Sequence, residues 1–129
     1  MKSSLKAKFL FGIALLTGLI FINAGLNKFL NYMPPPDHLP RKLEKAMTAF
    51  MEIGWLMPLT GLVEITGGIL LAVPRTRALG VLVLLPVMAG IILTNTVQNT
   101  SGLPITLVLS AVFLWIIYEH RAQYRPLIA

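Results

Sequence analysis

Four apolar stretches constrain this chain more than any other feature: residues 9–27, 55–73, 78–97 and 103–118. Each approaches the ~17 to 25 residues that an α-helix needs to cross a bilayer. Within lipid a backbone must satisfy its own hydrogen bonds, so such runs fold as helices or as closed barrels, and their length selects helices. The composition agrees. Hydrophobic residues make up 56% of the chain and charged residues 12%, with a mean hydropathy of +0.77, whereas ordinary globular domains carry about a quarter charged residues.

The connections at 73–77 and 98–102 are short, and short links make consecutive helices antiparallel neighbours. The expected architecture is therefore an all-α polytopic membrane protein, an antiparallel four-helix transmembrane bundle forming one domain over residues 1–129. Lys2, Lys6 and Lys8 before the first run resemble the start of a signal peptide. The run is longer than the usual ~7 to 15 apolar residues, however, and Ile22-Asn23-Ala24 is a poor cleavage site, so a retained helix is expected.

The net charge of +6 could point to nucleic acid, yet the eleven Lys and Arg residues flank the apolar runs instead of lining one surface. No nucleic-acid partner is expected. Sorted by alternating flanks, Lys2, Lys6, Lys8, Arg75, Arg77, Arg121 and Arg125 fall on one side of the membrane and Lys28, Arg41, Lys42 and Lys45 on the other. The richer side is cytoplasmic by the positive-inside rule, which places both termini there.

The segment at 33–54 is the one sizeable stretch between spans. It opens with Met33-Pro34-Pro35-Pro36, whose prolines hold the backbone extended and end the first helix. After the triplet, Pro40 is placed at a first helical position, and Leu39, Leu43, Met47, Phe50 and Ile53 recur at helical spacing with polar and charged residues between them. Two structures fit that pattern: an amphipathic helix lying on the outer membrane surface, or an extension of the second spanning helix.

The chain has no Cys, so it forms no disulfide, thiol nucleophile or iron–sulfur ligand set. His38 and His120 fall on opposite sides, and no metal-ligand spacing is present. There is no phosphate-binding glycine loop and no Ser/His/Asp grouping on one side, so a stand-alone enzyme is not indicated.

Glu64 is the carboxylate that lies well inside an apolar run, where an ionisable group costs at least ~2.5 to 3.5 kcal/mol on insertion. Thr60, Gly61, Gly67 and Gly68 share its face at helical spacing, a strip of small residues that can admit a neighbouring helix or a ligand. At ~1.5 Å per residue Glu64 lies ~13 Å and Asn23 ~9 Å below the outer surface, close enough in depth to meet. Asn27, Lys28 and Asn95 lie nearer that surface. These residues are the candidate ligand-binding set. Two alternatives stay open: Glu64 as a structural tether, and Lys28 snorkelling to the interface as Lys at a helix end commonly does.

The order of motifs resembles the DoxX family of small four-helix membrane proteins. Ala24-Gly25-Leu26-Asn27-Lys28-Phe29 closes the first helix, and Pro58-Leu59-Thr60-Gly61-Leu62-Val63-Glu64-Ile65-Thr66-Gly67-Gly68-Ile69-Leu70-Leu71 carries the most specific part. Arg77 with Ala78-Leu79-Gly80 resembles the family's basic turn and small-residue start of the third helix. The resemblance implies an inner-membrane fold of bacterial type and, for some members, association with quinone-linked oxidation or membrane oxidoreductase complexes. Other relatives are similar to assembly factors or chaperones. Asn95 stands where many relatives have His.

Three functions follow as expectations. The first is an accessory subunit of a membrane redox system that holds a quinone-like or other amphipathic molecule without a covalent cofactor, in contact with the bilayer and compatible with a homo-oligomer. The second is a non-enzymatic assembly factor for a partner membrane protein. The third, a proton-coupled exporter, is weakened because the small exporters of this size carry their carboxylate in the first helix, where this chain has none.

Overall fold

The computed structural model describes residues 2–33 and 38–128, which are mostly helical and include no strand. The elements are α1 (Lys2–Leu30), α2 (Arg41–Glu52), α3 (Leu56–Ala72), α4 (Arg77–Leu93), α5 (Leu103–Glu119) and α6 (Arg121–Ile128). The proline triplet expected to end the first helix lies outside the described residues. Three helical stretches are long and apolar enough to cross a membrane, and a fourth is added if α2 and α3 count as one bent span.

The described part of the segment 33–54 does not continue α3 as a straight extension. Residues 41–52 form their own helix, bent 94° from α3. Gly54 sits at the bend with φ +83°, a backbone conformation that a residue without Cβ adopts at little cost. Pro40 lies one position earlier than the sequence suggested. With φ −56° and ψ 144° it precedes the first helical residue, and its carbonyl accepts from the Glu44 N–H at 3.0 Å. Leu43, Ala46 and Phe50 turn their half-buried side toward the rest of the protein, and the charged residues face out.

The helices α1, α3, α4 and α5 touch in ring order, α1 against α3, α3 against α4, α4 against α5, and α5 against α1. The α1–α3 contact is the most extensive, and glycines explain why. A methyl placed on Gly18 would stand 2.6 Å from the Gly68 carbonyl oxygen, and one on Gly25 would stand 2.5 Å from that of Gly61. Backbones this close require residues with no side chain. Both pairs keep the same antiparallel register, so the seam runs straight for two helical turns.

The α3–α4 seam uses the same device. Gly67 receives the Leu84 side chain, and Gly80 lies against the backbone of Leu71. The buried core is then filled by Leu10, Ala14, Phe21, Leu71, Val81, Leu84, Met88, Phe113 and Ile116. On α5 the packing becomes aromatic, with Phe113 against Phe21 at 5.9 Å and Trp115 against Phe9 at 6.0 Å between ring centroids. Apolar side chains such as Leu16, Leu62, Leu93, Leu107 and Leu114 point outward, the pattern of a surface that meets lipid and not water.

Candidate functional site

Glu64 is buried, with 4% of its surface exposed, at the centre of the α1–α3 seam. Its partner is Lys28, whose Nζ lies 2.5 Å from Glu64 Oε1. Oε1 has no other hydrogen-bond partner among the described residues. The Lys28 side chain therefore runs inward to the carboxylate instead of snorkelling to the interface, and a fifth of it stays exposed.

Gly61, one turn from Glu64, makes that path available. A methyl there would come within 3.2 Å of Lys28 Cβ and 3.0 Å of the Phe29 ring. The small-residue strip is therefore divided in use. Gly61 and Gly68 receive α1, Gly67 receives α4, and the carboxylate between them meets Lys28 near the end of α1. Thr60 stays on its own helix, donating to the Leu56 carbonyl at 2.8 Å.

The other expected site residues lie elsewhere. Asn23 is exposed and bonds through its Oδ1 and backbone carbonyl to the Tyr32 hydroxyl, the latter at 2.9 Å. Asn27 Oδ1 accepts from the Met33 N–H at 2.8 Å. Together with Asn31, which adopts the left-handed conformation at φ 51°, they fold the chain after α1 back onto that helix. Asn95 sits in a wider turn, Thr94–Gln98, that ends α4. Its Nδ2 donates to Thr106 Oγ1 at 2.5 Å, and that hydroxyl donates to the Gly102 carbonyl at 2.9 Å, closing the α4–α5 connection. Of the six residues, the structure unites Lys28 and Glu64, with Thr60 one turn away, and separates the three asparagines from them.

Arg77 reads in the sequence as a flanking cation and as part of a basic turn resembling the family's, with no burial expected, yet it is 4% exposed. Its Nε donates to the Leu71 carbonyl at 3.1 Å, and its guanidinium lies 5.7 Å from the centre of the Phe11 ring. A cation at a helix C-terminus meets the negative end of the helix dipole, so Arg77 ties the end of α3 to α1. Its Nη2 is buried with no hydrogen-bond partner among the described residues. Arg77 as the first residue of α4, followed closely by Ala78 and Gly80, is the signal that could have marked it, because small residues there let α3 come close.

At the same end α6 was not anticipated. Tyr124 in α6 donates its hydroxyl to the Ala78 carbonyl at 2.8 Å, and Lys6 pairs with Glu119 at 2.9 Å. Among the described residues no group of three or more His, Cys, Asp or Glu could hold a metal ion.

Helices with glycine-packed seams, an apolar outer surface and one buried Lys–Glu pair define an all-α polytopic membrane protein. A family model described as DoxX matches residues 9–97, well over half of the chain, and the chain belongs to that family. No curated protein and no solved structure matches it.

Proposed function

We propose that this protein is a non-catalytic accessory subunit of a membrane redox system, holding a quinone-like or similarly amphipathic molecule against Lys28. The observation that carries the proposal is the Lys28–Glu64 pair, with the Glu64 side chain buried and the Lys28 side chain partly exposed. An ammonium has three N–H donors. With one turned to Glu64, the others are free to meet a carbonyl oxygen arriving from the lipid, and Glu64 keeps the cation from swinging out to the headgroups. The glycine strip itself is filled by α1 and α4, so the ligand's place is at the exposed edge of the pair.

In this arrangement α1, α3, α4 and α5 all cross a bacterial inner membrane. The chain termini are cytoplasmic and α2 lies along the outer surface, as the Lys and Arg distribution favours. The test is a melting curve in detergent with a short-chain benzoquinone analogue. A ligand that binds the folded state alone raises the melting temperature with concentration. The wild-type protein should show that rise and Lys28→Met should not. An equal rise in both, or none in either, contradicts the proposal.

A specific observation favours a second reading, that of an assembly factor. A groove of 330 Å³ runs along the polar side of α2, lined by Arg41, Glu44, Lys45, Thr48, Ala49 and Glu52, and it includes neither Lys28 nor Glu64. A partner domain outside the membrane would read this mixed-charge face. Co-purification of one stoichiometric partner, lost when Arg41 and Lys45 are changed to Glu, would support it over ligand binding.

A further inference from the structure

The net charge of the chain lies at one end. By the flanks in which they fall, the four cations on the side of α2 are offset by Asp37, Glu44 and Glu52 and by Glu64 within the span, which pairs with Lys28, whereas the seven on the side of the termini face Glu119 alone. The structure brings that second group together. Lys6 takes up Glu119, Arg77 rests on Phe11, and Tyr124 pins α6 to the start of α4, beside the turn that carries Arg75. Lys8, Arg75, Arg121 and Arg125 remain exposed, and no carboxylate pairs with them among the described residues. Beneath them Arg77 adds a buried positive charge that water and salt screen little.

We infer that this end, built from the α3–α4 turn and α6, binds the headgroups of anionic phospholipids. Two observations select lipid over a soluble anion. The cations stand at the ends of helices whose sides carry exposed apolar residues, Phe9 among them at 63%. On α6 itself Leu127 and Ile128 are 66% and 89% exposed beside Arg121 and Arg125, a short amphipathic helix whose apolar groups find cover in the acyl region. Basic clusters next to spanning helices attract anionic headgroups in this way.

The test is lipid selection in nanodiscs made from phosphatidylcholine with a minor fraction of phosphatidylglycerol. After extraction into mild detergent, the lipid retained on the protein is measured by mass spectrometry. The expected result is a phosphatidylglycerol share roughly twofold or more above that of the starting mixture, since each cation near the surface favours anionic lipid. The share should fall to the starting ratio in Arg75→Gln/Arg121→Gln/Arg125→Gln and stay high in Arg41→Gln/Lys42→Gln/Lys45→Gln, which changes the other end. High salt during reconstitution should lower the enrichment in the wild-type protein, a readout that does not depend on the variants folding. Equal enrichment in both triple variants, or none in the wild type, overturns the inference. So does inorganic phosphate that raises the melting temperature of detergent-purified protein as much as phosphatidylglycerol does, because that result assigns the site to a free anion.

Discussion

Lys28 and Glu64 lean toward each other because α1 and α3 are antiparallel. Each Cα–Cβ bond tilts toward the amino end of its own helix. Lys28, two residues before the end of α1, therefore points back into the bundle, while Glu64 points toward the end of α3 at which Lys28 stands. On parallel helices the two side chains would tilt the same way and lose this approach. The pair is a consequence of topology as much as of composition.

Removing either partner should destabilise the protein, and unequally. Lys28→Met leaves a buried carboxylate with no cation, a loss of ~2 to 4 kcal/mol, just below that for a fully buried pair. Glu64→Gln leaves an ammonium that can swing out through its exposed edge, so its loss should be smaller, ~1 to 2 kcal/mol. The double variant should lose less than the sum of the two single losses, because it strands neither partner. Thermal unfolding in detergent of all four proteins measures this, and strict additivity would show that the two side chains are not coupled.

The glycines divide into those that carry a seam and those that do not. Gly18→Ala and Gly68→Ala each drive a methyl into a facing carbonyl and should cost ~1 to 3 kcal/mol. Gly12→Ala, with open space around its site in the interior of α1, should be neutral or stabilise by up to ~1 kcal/mol through helix propensity. The same melting assay separates the two groups.

Much of this arrangement was legible in the sequence, and the parts that were not share a cause. The apolar runs that become α1, α3, α4 and α5 and the small-residue face around Glu64 follow from run length and spacing, which sequence states directly, although three stretches and not four are long and apolar enough to cross a membrane by themselves. The expectation that Asn23 would meet Glu64 rested on depth alone. Ile22 is the residue that faces Gly68, and Asn23, ~100° further round at 3.6 residues per turn, points away to Tyr32. Depth fixes a level on a helix and leaves the direction open. The docking of α6 depends on a contact between distant parts of the chain, Tyr124 with Ala78, that no local pattern encodes, whereas the small residues after Arg77 mark that position locally and leave only its partner Phe11 unstated.

Tyr124 makes the docking of α6 sensitive to high pH. Burial raises its phenol above the ordinary value of 10.0, so the folded state favours the neutral form. A raised value contributes stability that is complete below about pH 10 and is lost as pH climbs through the folded-state value. The bond from Tyr124 to Ala78 should therefore break above that pH, and limited proteolysis should then cut α6 faster. Tyr124→Phe should be cut readily at neutral pH and show no further rise. Equal cleavage of the two proteins at neutral pH would show that this bond does not hold α6.

Because the chain has no Cys, single cysteines report the side on which a residue lies without background. In intact cells a membrane-impermeant maleimide should label Thr48→Cys, on the polar side of α2, and should miss Gln123→Cys on α6 until the membrane is opened. On α2 itself, Met51→Cys should label more slowly than Thr48→Cys, since an interfacial helix keeps its apolar flank in lipid. Labelling of Gln123→Cys in intact cells would invert the proposed topology.

Mass spectrometry of the lipid-soluble molecules retained by gently purified protein tests the central claim most directly. A quinone-like or other amphipathic molecule held against the Lys28–Glu64 pair should be found with the wild-type protein at near one per chain. It should be depleted several-fold in Lys28→Met and reduced in Glu64→Gln, while Gly12→Ala, remote from the pair, retains it in full. Retention of the same molecule at the same level by all four proteins, or a wild-type protein carrying only bulk phospholipid, would contradict the account.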